Sequence, residues 1–217
     1  MRREKLATGE YYHVLNRGFD KKEIFRDDGD IARFFQSMEE FNSIDPIGSI
    51  YENYLLKKKN GPPRSKKRSK NQKLVDFAAY CLNPNHYHFL VRQTVDDGIK
   101  KFLQRLGAGY TKYFNHKYQR IGYLFQGPYK LVHVNSNEYL LHLSVYINLN
   151  DRVHKLGPRR SKSSRQEYMG GAGNNKSFCG KKIILDQFSS VREYKEFCEY
   201  SLESILARKD MEKLLIE

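Results

Sequence analysis

The chain has 217 residues, 39% of them hydrophobic and 29% charged, which is enough for one substantial core and a small appendage. Lysine and arginine outnumber aspartate and glutamate 39 to 25, and the formal charge of +14 favours a polyanionic partner. No apolar run reaches the roughly 18 residues of a membrane span, and the opening MRREKLATGE has no apolar stretch of a secretory signal, so a cytoplasmic chain is expected. Cys81, Cys179 and Cys198 are odd in number and show no C-x-x-C spacing, so they read as reduced thiols and not as zinc ligands.

Taken in order, YYHVLNRG (Tyr11 to Gly18) alternates and ends at a glycine, a first strand. His13 on it reads as structural, whereas Arg17 ends the strand where a phosphate can approach. Asp27, Asp28 and Asp30 then place acids in the first turn of a helix whose stripe is Ile31, Phe34, Phe35, Met38 and Phe41. SIYENYLL, residues 49–56, reads as a strand running into a basic insertion at 57–70, where eight basic residues and no acid surround Gly61, Pro62 and Pro63. KLVDFAAYCL resumes the sheet, and Asn83 to Asn85 interrupt it with a turn or bulge before the next strand, which runs out to Arg92. Together these two form an antiparallel pair in mid-sheet.

From Asp96 the period becomes helical, with Ile99, Phe102, Leu103, Leu106, Tyr110 and Phe114 on one face and Lys100, Lys101, Arg105, Lys112, Lys117 and Arg120 on others. Gly107 and Gly109 weaken the propensity of this helix. A short strand follows through Lys130 to Val134, and Asn135 with Glu138 has the spacing of a helix cap. A basic, glycine-rich and serine-rich loop carries Lys155, Arg159, Arg160, Lys162 and Arg165. The tail opens with Ser190 and Glu193 in capping-box spacing and shows Val191, Tyr194, Phe197, Cys198 and Leu202 on one side, one long or two short helices whose mixed charge points to a structural or interaction role.

Two stretches carry chemistry. In YCLNPNHYHFLV, His86 and His88 are separated by one residue, so on a strand both imidazoles leave the same face and can share one cation. In NSNEYLLHLSVYINLN, Leu143, Tyr146, Ile147 and Asn150 fall on one helical stripe, which sets a tyrosine one turn from an amide oxygen. Each stretch also has a bland reading, as half-buried histidines and a core tyrosine.

The paired histidines, the aromatic helix LQRLGAGYTKYFNHKYQRIGYLFQGPYK and the later SNEYLLHLSVYINLN together resemble the single-tyrosine HUH transposases, in particular the REP-associated tyrosine transposases. The resemblance runs from YYHVLNRG to about residue 170 and is strongest over 80–150. It implies an α+β fold, a ferredoxin-like antiparallel sheet with helices on one side, in a domain 1–170 followed by a helical extension 171–217. It also implies Mg²⁺ or Mn²⁺ held by His86, His88 and Asn150, with Tyr146 attacking single-stranded DNA to leave a 5′-phosphotyrosine, at targets folded as hairpins. Arg17, Arg92, Arg105, Lys112, Tyr113 and Lys130 are the candidate DNA contacts, with Tyr110, Phe114 and Tyr123 as further surfaces for unpaired bases. No organic cofactor or membrane is implied.

The chain departs from the family's usual pattern in the long basic insertion at 57–70 and in three further places. Asn83 stands before Pro84 where methionine is common, Val145 precedes the tyrosine where arginine is common, and DRVHK follows Asn150 in place of a proline-containing continuation. Two other readings therefore stay open: a DNA-binding protein without cleavage, and a metal nuclease in which water attacks and Tyr146 is incidental.

Overall fold

A computed structural model describes residues 6–50, 72–157, 160–170 and 177–214. The basic insertion 57–70, nearly all of the strand expected at 49–56, and Arg159 lie outside the described residues. Strand β1 (Tyr11–Arg17) leads through helix α1 (Asp28–Glu40) to β2 (Val75–Asn83) and β3 (His86–Gln93), and then through α2 (Gly98–Lys117) to β4 (Lys130–His133). Helices α3 (Asn137–Asn148) and α4 (Asn150–Val153), the two-residue strand β5 (Lys162–Ser163) and short helices α5 (Arg165–Tyr168) and α6 (Lys182–Leu185) precede the long α7 (Val191–Leu214).

The sheet order is β4-β1-β3-β2-β5, with every pairing antiparallel. The β-α-β-β-α-β sequence with its first four strands in the order 4-1-3-2 is the ferredoxin-like arrangement. Asn83 and His86 pair directly across Pro84 and Asn85, so the expected interruption is a two-residue hairpin turn. The register irregularity lies instead between Phe77 and Ala79. It brings Phe77, Tyr80 and Leu82 onto one face and Ala79, Cys81 and Asn83 onto the other.

Helices cover both faces, not one as the sequence suggested. Tyr12, Val14, Tyr87, Phe89 and Val91 join α1 and α2 in one core, while Ala79, Cys81 and Leu90 join Leu143, Ile147, Tyr194, Cys198 and Leu202 of α3 and α7 in a second. The central strands are apolar on both sides, and each side needs a layer to exclude water. Segment 177–214 thus supplies part of the second core through Ile184 and α7.

Local chemistry explains the helix ends. Asp27 caps α1 by accepting from the Asp30 amide. Ser190 accepts from the Glu193 amide at 3.2 Å, while the Glu193 carboxylate accepts from the Ser189 amide. At α3 the cap is Ser136, which accepts from the Tyr139 amide, and not Asn135; the hydroxyl reaches the orphan donor from one position later. α2 runs unbroken through Gly107 and Gly109, and at Gly109 a Cβ would lie 2.6 Å from the Phe41 ring. The glycine lets the end of α1 pack against α2. No described helix is long and apolar enough to cross a membrane.

Candidate active site

The second sheet face brings together the paired histidines, Tyr146 and Asn150. His86 and His88 leave β3 together, their ring centroids 5.2 Å apart and nearly perpendicular. The edge of His88 meets the Tyr146 ring from α3, with centroids 5.5 Å apart at 87°. α3 ends at Asn148, Leu149 turns the chain at φ −111°, and Asn150 opens α4, so Tyr146 and Asn150 are not on one unbroken stripe. The bend still delivers Asn150 to the histidines, with its Oδ1 3.3 Å from His86 Nε2. Tyr146 is half-buried, and its hydroxyl has no hydrogen-bond partner among the described residues.

Four residues not assigned to the site from sequence stand around it. Asn83, 1% exposed, directs Nδ2 at Asn150 Oδ1 (2.6 Å) and at His86 Nε2 (3.0 Å). Asn85 Oδ1 lies 2.6 Å from His86 Nδ1 and can only accept, which puts the ring proton on Nδ1 and leaves the Nε2 lone pair facing inward. His13, read as structural, has its Nε2 2.9 Å from His88 Nδ1, the two rings lying edge to edge with 21° between their planes. The ring of His154 lies 5.0 Å from that of His86. Behind α3, buried Asn148 donates to the Tyr194 hydroxyl at 3.1 Å and accepts from Ser164 at 2.5 Å, so the tail helix steadies the segment between Tyr146 and Asn150.

Burial keeps the imidazoles neutral. It lowers His13 to about 4, and it carries His88 well below the ordinary histidine value, helped by His13, His86 and His154. His86 is lowered chiefly by burial and further by Arg17 and Lys209, against the opposing hydrogen bond of Asn150. Neutral imidazoles are the form that ligates metals. Among the described residues no group of three or more His, Cys, Asp or Glu side chains can hold an ion. The donor set here is instead two imidazoles and an amide oxygen. Two inward-facing acceptors, His86 Nε2 and Asn150 Oδ1, converge on one point, and buried Asn150 Nδ2 has no partner among the described residues. That arrangement fits a weakly held divalent cation whose remaining ligands are oxygens of phosphate and water.

The candidate DNA contacts divide by place. Arg17 pairs across from His86, and Lys130 pairs with Leu15, which itself pairs with His88, so both lie on the site's side of the sheet. Arg92 is on the same face but six residues from His86, roughly 20 Å at strand rise, and its guanidinium is held by Asp76 at 2.7 Å. Arg105 donates to the Ser43 and Ile44 carbonyls, and the Tyr113 hydroxyl donates to Asp30 at 3.2 Å. Lys112 is exposed on α2, across the sheet from the histidines. Tyr110 and Phe114 are fully buried and present no surface for a base, because they are the inner stripe of α2; Tyr123 is 86% exposed. Arg160 pairs with Glu23, and Lys162 lies over the Phe35 ring at 4.4 Å.

Residues 63–150 match the family described as Transposase IS200 like, a stretch that contains His86, His88 and Tyr146 and ends at Asn150. No curated protein matches the chain. Among solved structures, the chain is similar to a REP-associated tyrosine transposase bound to a REP hairpin, at 14% identity over 80% of this chain and 87% of that one, with a TM-score of 0.43. It is also similar to tRNA(His) guanylyltransferase from Saccharomyces cerevisiae, at 14% identity over 90% of this chain and 79% of that one, with a TM-score of 0.29. At such scores neither likeness adds to the geometry.

Proposed function

We propose, for a chain whose residues 63–150 match the IS200-like transposase family, that it cleaves and rejoins single-stranded DNA with Tyr146 as nucleophile. The observation that carries this reading is the convergence of Tyr146 from α3, His86 and His88 from β3, and Asn150 from α4 on one patch of the sheet.

His86, His88 and Asn150 would hold a Mg²⁺ or Mn²⁺ ion, which when bound supplies charge that offsets the phosphate oxygens. The protein supplies the rest. Tyr146 is half-buried against His88, which restricts its ring and favours in-line approach of its oxygen to phosphorus. Attack forms a bond from the tyrosine oxygen to phosphorus and breaks the bond from phosphorus to the 3′ oxygen. The products are a 5′-phosphotyrosine and a free 3′-hydroxyl, and the retained phosphoester can be rejoined by the reverse step. Arg17 and Lys130 flank the histidines and would position the backbone of the strand, while exposed Tyr123 offers a face to an unpaired base. A hairpin-forming single strand is the substrate this reading favours. Arg92, Arg105, Lys112 and Tyr113, set away from Tyr146, would at most extend a phosphate track beyond it.

The test is covalent capture. With Mn²⁺ and a hairpin-bearing single strand, the wild-type protein should give a protein–DNA conjugate stable to denaturant and a free 3′-hydroxyl. Tyr146→Phe keeps the ring and removes the attacking oxygen, so it should abolish the conjugate while retaining DNA binding; His86→Ala should abolish it as well. Cleavage by Tyr146→Phe at the wild-type rate would move the assignment to a hydrolytic nuclease, and DNA binding with no cleavage by wild type to a binding module.

A further inference from the structure

We infer that Asn83 is a fourth donor of the cation site, an amide whose NH₂ group faces His86 and Asn150 and which turns about χ2 to present its oxygen to a cation there. The inference rests on the metal reading above and extends it to a residue outside the histidine pair and the tyrosine helix.

The hairpin dictates the placement. Asn83 and His86 close a two-residue turn as a directly opposed pair, so their side chains share a face a few ångströms apart. Asn83 is 1% exposed, and its Nδ2 lies 3.0 Å from His86 Nε2 and 2.6 Å from Asn150 Oδ1. Both neighbours act as acceptors there, since Asn85 fixes the His86 proton on Nδ1. Two acceptors facing one buried donor make a position that favours positive charge. The amide hydrogens carry a partial share of that charge, and a divalent ion would carry the whole of it.

The outer end of the side chain permits the exchange. Asn83 Oδ1 accepts from the Ser161 hydroxyl at 2.7 Å and from Cys81 Sγ at 3.3 Å. A hydroxyl accepts as well as donates and a thiol sulfur accepts weakly, so both can receive the amide hydrogens after a half-turn about χ2, a torsion with a broad profile. The turned amide places an oxygen beside Asn150 Oδ1 and His86 Nε2. Two imidazoles and two amide oxygens then replace the three-donor set, and asparagine takes part where methionine, with only a soft thioether, could not serve a hard cation equally well.

Direct Mn²⁺ titration without DNA, by calorimetry and by the loss of the free-ion electron paramagnetic resonance signal, tests the assignment. Thermal melting with and without Mn²⁺ checks the folding of each variant. Asn83→Leu should weaken Mn²⁺ binding about tenfold, as removal of one oxygen donor from a neutral site. Asn83→Asp, nearly isosteric, should tighten it by a similar factor and enlarge the Mn²⁺-induced rise in melting temperature. Mn²⁺ affinity within twofold of wild type in both folded variants, while His86→Ala loses binding, overturns the role of Asn83 and leaves the metal site intact. Failure of wild type to bind Mn²⁺, or binding unaffected by His86→Ala, overturns both. If Asn83→Leu does not fold, Asn83→Asp alone decides.

Discussion

His13 Nε2 and His88 Nδ1 lie 2.9 Å apart on the buried face of the sheet, and this contact governs which nitrogen of His88 is left for a ligand. Both rings are held neutral by burial, so one donates and the other accepts. When His88 donates from Nδ1, its Nε2 keeps a lone pair; when His13 donates, His88 carries its proton on Nε2 and cannot ligate. A cation held by His88 would select the first arrangement. His13→Phe preserves a flat ring and removes the acceptor, and is expected to weaken Mn²⁺ binding about tenfold, in line with losses of partners that orient a ligating histidine. Calorimetric titration of the folded variant checks this, and an unchanged affinity would leave His13 as packing alone.

The second expectation concerns DNA. Arg17 and Lys130 are exposed on the site's side of the sheet, on strands β1 and β4. A cation touching only phosphate lowers affinity for every sequence alike when removed, and it reduces the slope of log affinity against log salt by about 0.7 per contact on a single strand. Arg17→Ala and Lys130→Ala should each show that reduction in binding titrations at several salt concentrations, whereas Arg92→Ala, whose guanidinium is committed to Asp76, should leave the slope unchanged. The reverse pattern would place the DNA track at the far end of β3.

The parts of the site that sequence disclosed are those with a short internal period. His86 and His88 sit two apart on one strand, so local geometry brings them together, whereas Tyr146 and Asn150, four apart, are divided by the turn at Leu149. What joins the pairs is strand register and a helix laid across a sheet, neither of which is written in local spacing. His13 reaches His88 only because β1 pairs with β3 in a register that sets Leu15 opposite His88. Asn83 faces His86 because the turn expected over Asn83 to Asn85 takes only Pro84 and Asn85, a length that leaves Asn83 on the strand as a direct partner and that a turn or bulge alone does not specify. Helices on both faces were obscured because the apolar strands do not announce which side each later helix will cover. The bond from Asn148 to Tyr194 shows the same limit, with 46 residues separating the partners.

Gly107 and Gly109 look alike in sequence and should respond in opposite directions. A Cβ at Gly107 meets nothing within 4 Å, so Gly107→Ala should stabilise by up to about 1 kcal/mol through helix propensity. At Gly109 the same atom would fall 2.6 Å from two carbons of the Phe41 ring. Overpacking of that kind costs about 1–3 kcal/mol and outweighs the propensity gain. Urea unfolding of the two variants should give midpoints on either side of wild type, and a shared direction would mean that α1 yields at Phe41.

The last expectation tests what joins α1 to α2. Asp30 is fully buried at the start of α1 and accepts from Lys117 Nζ at 2.8 Å, from the Tyr118 hydroxyl at 2.8 Å and from the Arg26 amide at 2.9 Å. The same ammonium holds Asp27 at 2.7 Å. Removing it would leave a buried carboxylate without its cation, a loss of about 3–5 kcal/mol in fully buried pairs. The Lys117 side chain is 30% exposed and Tyr118 with Arg26 still serve Asp30, so Lys117→Met should cost less, about 2 kcal/mol at pH 7. The hydrogen bond from Lys117, then that from the Asp30 amide, holds the Asp27 carboxyl below its ordinary value of 3.8. A carboxylate so lowered stabilises the fold above the unfolded-state value and loses that contribution as pH falls through the folded-state value. The part of the difference between wild type and Lys117→Met that comes from Asp27 should therefore be full at pH 7 and shrink below pH 3.8 as that carboxylate is protonated. Urea titrations of both proteins at pH 7 and at about pH 3 measure it. An equal difference at the two pH values would assign the effect to the Lys117 ammonium over the Tyr113 and Tyr118 rings, which stays charged throughout this range, and not to its pairing with Asp27.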